Sequence, residues 1–169
     1  MLFRSAARRF LDWNTRVPAA ADRDARTWFA RATWAGHLGE DRVAARCLWE
    51  CLRRDPNHLA ANHQLAQSLD RLGRPIESTR FRQRAQQLAE LVTLLRGLAG
   101  NPRYGEAKTE SKVRRLVDLN QQLGRAWEAA AWSMFALRSN EKLKWPAQYV
   151  EELRPYIENQ DAPRTVATL

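Results

Sequence analysis

Histidine and cysteine are two kinds of side chain in this sequence that could bind a metal ion or act as nucleophiles. Cys47 and Cys51 lie one helical turn apart, and His37, His58 and His63 cluster around one predicted turn and the segment after it. No Cys-x-x-Cys or His-x-x-His spacing, the kind that structural zinc sites use, is present. Two cysteines are too few for a disulfide framework. We therefore expect no metal site, with Cys51 in the core and the histidines solvated or capping helices.

Sequence motifs of catalysis are also missing. The chain has no Gly-rich phosphate loop, no G-x-S-x-G nucleophile elbow and no H-E-x-x-H zinc helix. Each of these motifs positions a phosphate, a nucleophile or a metal ion through local backbone geometry. The sequence therefore predicts a protein that is not an enzyme and needs no cofactor.

Arginine dominates the charge of the chain. The formal net charge is +9, of which residues 1–109 carry +8, and lysine occurs at only four positions. Such an excess could form a surface for an anionic partner. The alternative is a set of solvated helix faces, which the absence of any block of five like charges favours.

The element that must position any such surface is a predicted helical hairpin over residues 25–58. Two helices are separated by a tight turn at Leu38-Gly39, and the second ends at Asp55-Pro56-Asn57. A short hairpin of this kind cannot bury its apolar face alone and needs similar neighbours. The Leu-Gly pair recurs 34 residues later at 72–73, and a further 51 residues later at 123–124.

Small residues recur at fixed distances from each of these glycines. The glycines suit a helix C-cap with positive φ, and small neighbours would let the paired helices approach closely. Seven residues before the glycines are Ala32, Ala66 and Val117. Five residues after them are Ala44, Ser78 and Ala129, and twelve residues after them are Cys51, Ala85 and Ala136.

This pattern resembles the tetratricopeptide repeat (TPR) family, whose period is 34 residues. Trp28 stands where the family prefers its first aromatic residue, and Pro56 where it prefers its closing proline. The resemblance implies an all-α fold, a superhelical stack of antiparallel helix pairs with about eight helices. Its repeats would be 25–58, 59–92 and 110–143, with an insertion at 93–109. Around them lie an N-terminal helix or partial repeat at 1–24, a capping helix at 144–158 and a tail at 159–169.

Apolar periodicity predicts the individual helices and their buried faces. The predicted spans are 3–16, 23–36, 40–54, 59–71, 75 to about 96, 110–122, 125–140 and 146–158. Trp28, Ala32, Ala44, Leu48 and Cys51 are expected to be among the most buried residues. The predicted apolar stripes also include Val43, Leu59, Ile76 and Leu95.

In the TPR family, the first helix of each pair lines a concave groove that binds a peptide. The resemblance places candidate partner-binding residues at Arg26, Phe29, Thr33 and His37, at His63, Gln67 and Arg71, and at Arg114, Asp118 and Gln122. An acidic extended segment with one apolar anchor would suit this set. Phe29 would contact the anchor, and Arg71 and Arg114 its carboxylates.

Two functions therefore remain open at the level of sequence. The first is a non-catalytic scaffold that binds a peptide or protein in the concave groove. The second is a helical repeat that binds RNA or another polyanion through its arginines. Equivalent groove positions do not repeat, as Phe29, His63 and Arg114 illustrate, and this disfavours a base-by-base code.

The cellular setting is predicted only by default. Residues 1–17 contain no apolar run that a signal peptide would need, and no stretch reaches the roughly 18 apolar residues of a membrane span. We expect a cytoplasmic protein without membrane contact. The sequence leaves the partner, the oligomeric state, the role of 93–109 and membership of a longer chain open.

Overall fold

Helices account for the secondary structure of the computed structural model, which describes residues 2–99, 107–140 and 142–158. Within these ranges there are eight α-helices and no strand, so the predicted all-α fold is confirmed for them. The helices are α1 (Leu2–Arg16), α2 (Ala25–His37), α3 (Asp41–Arg54), α4 (Leu59–Arg71), α5 (Pro75–Ala99), α6 (Ala107–Gln122), α7 (Ala126–Ser139) and α8 (Trp145–Glu158). A short 3-10 helix, Ala19–Arg23, precedes α2. Most of the predicted insertion's loop and the 159–169 tail lie outside the described residues.

The chain divides into two compact units, Met1–Ala85 and Gln86–Leu169, and α5 contributes residues to both. In the first unit, α2 packs against α3 and α3 against α4. In the second unit, α6 packs against α7 and α7 against α8. Short connections join these neighbours, so helices that are consecutive in the chain pack against each other within each unit.

The same turn ends α2, α4 and α6. Gly39, Gly73 and Gly124 have φ values of 75°, 74° and 72°. In each turn the amide after the glycine donates to a carbonyl five residues earlier, at 3.0, 2.8 and 2.8 Å. This is the Schellman arrangement, which satisfies carbonyls that the end of a helix leaves unpaired. The prediction of positive φ at these glycines is therefore confirmed.

Small residues at the recurring positions lie in the core. All nine are buried, with at most 5% of their surface exposed. In the first unit, Ala32, Cys51 and Ala66 belong to one core cluster together with Leu48, Leu52, Leu65 and Leu69. Their short side chains let the helix backbones approach, and the leucines fill the remaining space.

Four residues of the predicted apolar stripes are exposed instead. Val43 is 50% exposed because it lies on α3 away from the face that carries Ala44 and Leu48. Leu59 and Ile76 are 39% and 89% exposed in the first turns of α4 and α5. Leu95, 37% exposed, is close to the end of α5. The prediction that these four residues are buried was therefore wrong.

Trp28 is half-buried, so the prediction that it is among the most buried residues was wrong. Its indole nitrogen donates a hydrogen bond to the carbonyl of Asp22 at 2.8 Å. The guanidinium carbons of Arg31 and Arg54 lie 4.8 and 5.1 Å from the centre of its ring. A tryptophan must satisfy its N–H when it is covered, and here it does so at the edge of the core.

The glycine turn predicts a difference between two neighbouring glycines. Gly39→Val should lower the free energy of unfolding by more than ~1 kcal/mol, because a β-branched residue opposes positive φ. No atom lies within 4 Å of a Cβ added at either Gly39 or Gly36. The loss of stability in Gly39→Val would therefore come from the backbone conformation and not from a steric clash. Gly36 is helical, and Gly36→Ala should raise stability by roughly 0.5–1 kcal/mol. Chemical denaturation measures both changes, and equal effects would contradict the assigned turn.

Close helix packing predicts that Ala44→Leu destabilises the protein. Ala44 is 2% exposed in the core, so the larger side chain should cost roughly 1–3 kcal/mol through overpacking. Val43→Leu is the matched control. Because Val43 is half exposed, this substitution should change stability by less than about 0.5 kcal/mol. An unchanged melting temperature for Ala44→Leu would show that the register of α3 is wrong.

Candidate functional site

The ten predicted partner-binding residues fall in both units of the fold. Arg26, Phe29, Thr33 and His37 lie on α2, and His63, Gln67 and Arg71 on α4, all in the first unit. Arg114, Asp118 and Gln122 lie on α6 in the second unit. The two sets are therefore described separately.

A groove in the first unit brings four of these residues together. Thr33 and His37 of α2 lie on one side, and Gln67 and Arg71 of α4 on the other. The groove has a volume of about 190 Å³. We call it the α2–α4 groove; its remaining lining residues are Ala32, Gly36, Ala44, Leu48, Gln64 and Ser68.

The spacing of small and polar residues produces this groove. Thr33 and His37 are four residues apart on α2, as are Gln67 and Arg71 on α4, so each pair shares one helix face. Between them, Gly36 has no side chain and the side chain of Ser68 is short, so the space stays unfilled. The result is an open groove with polar residues on both sides and a small apolar floor.

Arg71 is the charged residue of the groove, and it already has an acidic partner. Its Nη2 lies 2.7 Å from Oδ1 of Asp41, in the first turn of α3, and its Nε donates to the same oxygen at 2.8 Å. The hydrogen bond to Asp41 raises the pKa of the Arg71 guanidinium. Because half of the Arg71 side chain is exposed, the pair contributes only about 0.2–1 kcal/mol. A ligand carboxylate could therefore displace Asp41.

The other three candidates of the first unit do not line the groove. Arg26 pairs with Asp24, whose carboxylate accepts from the Arg26 amide and caps α2. The ring of Phe29 packs 4.5 Å from that of His58, centre to centre, and also contacts the core. His63 is exposed on α4. Arg26 and Phe29 thus stabilise the helix start and the packing around it.

The candidates of the second unit contact other side chains of that unit. Asp118 Oδ1 accepts a hydrogen bond of 2.6 Å from the hydroxyl of Tyr149 on α8. The Arg114 guanidinium lies 5.9 Å from the ring centre of Trp145, also on α8. Gln122 accepts from Gln87 at 2.9 Å. Two of the three candidates thus contact side chains of α8, and the third contacts Gln87 of α5.

Sequence reasoning missed the contacts made by Tyr149 and by Asp41. A sequence pattern could have indicated the first contact but not the second. Tyr149 is four residues after Trp145, so their spacing indicates one aromatic face on α8. Asp41 is 30 residues from Arg71, and only the tertiary packing of α3 against α4 brings them together. No local pattern could have revealed that pair.

The cysteines and histidines of the chain all lie on described residues of the first unit. Burial raises the pKa of the Cys51 thiol to about 11 and also raises that of Cys47, so neither is poised as a thiolate. His58 caps α4 by accepting from the amide of Ala61 at 3.2 Å. Among the described residues, no three His, Cys, Asp or Glu side chains could hold a metal ion together.

Comparison of the chain with protein-family models and with curated proteins finds no match. Within the described part of the chain, no helix is both long and apolar enough to cross a membrane. The structural observations on the α2–α4 groove therefore carry the functional argument.

The contact between α6 and α8 predicts an altered ionisation of Tyr149. Its hydrogen bond to Asp118 raises the pKa of the Tyr149 phenol above the ordinary value. The associated stability is present below the unfolded-state pKa of about 10 and is lost as the pH rises through the folded value. Asp118→Asn should lower the pKa of Tyr149, as measured by ultraviolet titration of tyrosinate. Tyr149→Phe should remove that titration, and identical curves for wild type and Asp118→Asn would exclude the contact.

Proposed function

We propose that the chain is a non-catalytic interaction scaffold that binds an extended, acidic segment of a partner protein in the α2–α4 groove. The observation that carries this proposal is the convergence of Thr33, His37, Gln67 and Arg71 on one open groove. These residues come from two helices, and the repeat register had placed all four at ligand-facing positions.

The proposal includes a TPR-like superhelical stack of antiparallel pairs. Its support is the repetition of one turn at Gly39, Gly73 and Gly124, with the same φ and the same hydrogen bonds. The buried small residues at equal distances from these glycines add to that support. Repeat stacks of this kind use the side chains of successive first helices to bind peptides.

The dimensions of the groove suit a peptide backbone with small side chains. A volume of about 190 Å³ is below the roughly 300–1,000 Å³ of pockets that enclose small molecules. Thr33, His37 and Gln67 offer donors and acceptors to the amides and carbonyls of an extended chain. Arg71 would bind a carboxylate of the segment in exchange for Asp41. Phe29 lies outside the groove, so the proposed contacts do not include an aromatic anchor there.

The competing proposal is a polyanion-binding surface, for which the net charge is the supporting observation. Much of the arginine in the described residues, however, bonds to carboxylates of this chain. Examples are Arg31 with Asp22 at 2.7 Å and Arg115 with Glu90 at 2.7 Å. These guanidiniums are already engaged by carboxylates and are less available to bind phosphates, which favours the scaffold function.

The exchange of partners at Arg71 predicts opposite effects of two substitutions. Peptides selected from a random displayed library on the intact chain provide the probes, and fluorescence anisotropy gives their Kd values. Arg71→Gln should weaken binding of acidic peptides by about 1–3 kcal/mol. Asp41→Asn should strengthen binding by about 0.2–1 kcal/mol, because it releases the guanidinium without removing side-chain volume.

The control variant is Thr79→Ala, whose exposed hydroxyl lies on α5 and outside the groove. It should leave every Kd unchanged. Affinity that is indifferent to both Arg71→Gln and Asp41→Asn would exclude the groove as the binding site. Tighter, salt-sensitive binding to single-stranded RNA than to any selected peptide would instead favour the polyanion function.

A further inference from the structure

A second groove in the first unit lies on another face of α3. It has a volume of about 600 Å³ and shares no lining residue with the α2–α4 groove. We call it the Arg42 groove, after the arginine at the start of α3 that lines it. Concave sites of this size can accept a bulky side chain together with its neighbours.

The floor of the Arg42 groove is apolar. Trp49 and Leu72 are half-buried against the core, and Ala45 and Leu69 are buried beside them. The Trp49 ring meets Phe81 edge-on at 5.1 Å between centres, and the Arg80 guanidinium lies 5.0 Å from the Trp49 ring centre. The floor therefore presents apolar surface that an apolar group of a ligand can cover.

The rim of the Arg42 groove carries two cations without partners. Arg42 and Arg46 are exposed, one helical turn apart, and form no ion pair or hydrogen bond within the described part of the chain. Glu50, the acid that lines this groove, is already engaged. Glu50 bonds to Arg53 and Arg54 at 3.1 and 2.5 Å.

Arg74 lines the same groove and pairs with Glu77 at 2.5 Å, so it adds no net charge to the rim. The positive potential therefore comes from Arg42 and Arg46.

The position of Arg42 is unfavourable for the helix itself. It is the second residue of α3, whose N-terminus carries the positive end of the helix dipole. A cation there opposes the dipole, whereas most other arginines of this unit, such as Arg54, bond to acids or carbonyls. The helix dipole therefore does not stabilise the charge at residue 42, whereas an anionic group bound in the groove would stabilise it.

We propose that the Arg42 groove binds an acidic segment of a partner protein that carries one bulky apolar residue. The apolar side chain covers Trp49 and Leu72, and carboxylates on either side of it bind Arg42 and Arg46. Residues four apart on a helix have Cβ atoms about 5–6 Å apart. Two acids one turn apart on a partner helix therefore match this pair of arginines.

An acidic polypeptide fits this groove better than a nucleic acid does. Proteins that bind single-stranded nucleic acids stack the bases on exposed aromatic rings. Here Trp49 is half-buried, with Arg80 over its ring and Phe81 at its side. Trp49 is therefore only partly available for base stacking, whereas the part of it that lines the groove beside Leu72 can contact an apolar side chain.

The test uses peptides selected from a random displayed library on the intact chain, with Kd values measured by fluorescence anisotropy. Enriched peptides should contain two or more acids around one Leu, Phe or Trp. Arg42→Glu with Arg46→Glu should weaken their binding by about tenfold or more. The control Arg8→Glu with Arg9→Glu makes the same charge change at exposed sites on α1 and should alter Kd by less than about twofold. Arg42→Gln should weaken binding yet slightly raise the melting temperature, a combination that a structural role would not produce.

Several results would overturn the proposal. One is a selection that yields no acidic peptide, and another is an unchanged Kd for the Arg42→Glu/Arg46→Glu variant. Peptides that respond to Arg71→Gln but not to the double reversal bind the α2–α4 groove, which distinguishes the two proposals. Finally, a single-stranded RNA probe that binds more tightly than the peptides, and is lost with the double reversal, would assign the Arg42 groove to nucleic acid.

Discussion

The left-handed glycine at the end of a helix is the constraint on which the packing of this protein depends. A residue at φ near 75° reverses the chain within three residues, so the next helix must pack against the one before it. Any side chain with a Cβ pays for that conformation, whereas glycine adopts it freely. Three such turns fix which helices are neighbours, and the small buried residues around them then set how closely the backbones approach.

Arginine has a structural task in this fold as well as a surface one. Arg31 donates to Asn14 and Asp22, and Arg54 donates to the carbonyl of Asp22; both cover the Trp28 ring. These contacts hold the segment before α2 against the first hairpin. Net charge alone therefore does not show which arginines an anionic partner can reach, and the arginines that matter for binding are those without intramolecular acids.

Sequence reasoning predicted the parts of the structure that depend on local chemistry. The glycine turns and helix order follow from the residue types at each turn, and so does the burial of residues such as Ala32 and Ala129. It failed where burial depends on which part of a helix its neighbours cover, as at Ile76, which is 89% exposed in the first turn of α5.

The candidate site was predicted in part for the same reason. Thr33, His37, Gln67 and Arg71 follow from the helical repeat, and they line one groove. The pairing of Arg71 with Asp41, and of Asp118 with Tyr149, joins residues about 30 positions apart. Such contacts depend on tertiary packing, which no local pattern encodes.

Only the first of the two units contains cysteine, so thiol reagents can label only that unit. Both cysteines of the chain, Cys47 and Cys51, are buried in the core of the first unit, and no cysteine occurs after residue 51. A thiol reagent can reach them only when that core opens. The rate of labelling under native conditions therefore reports the free energy of opening the core around these two residues. The wild-type chain thus carries its own local reporter of unfolding, without an engineered label.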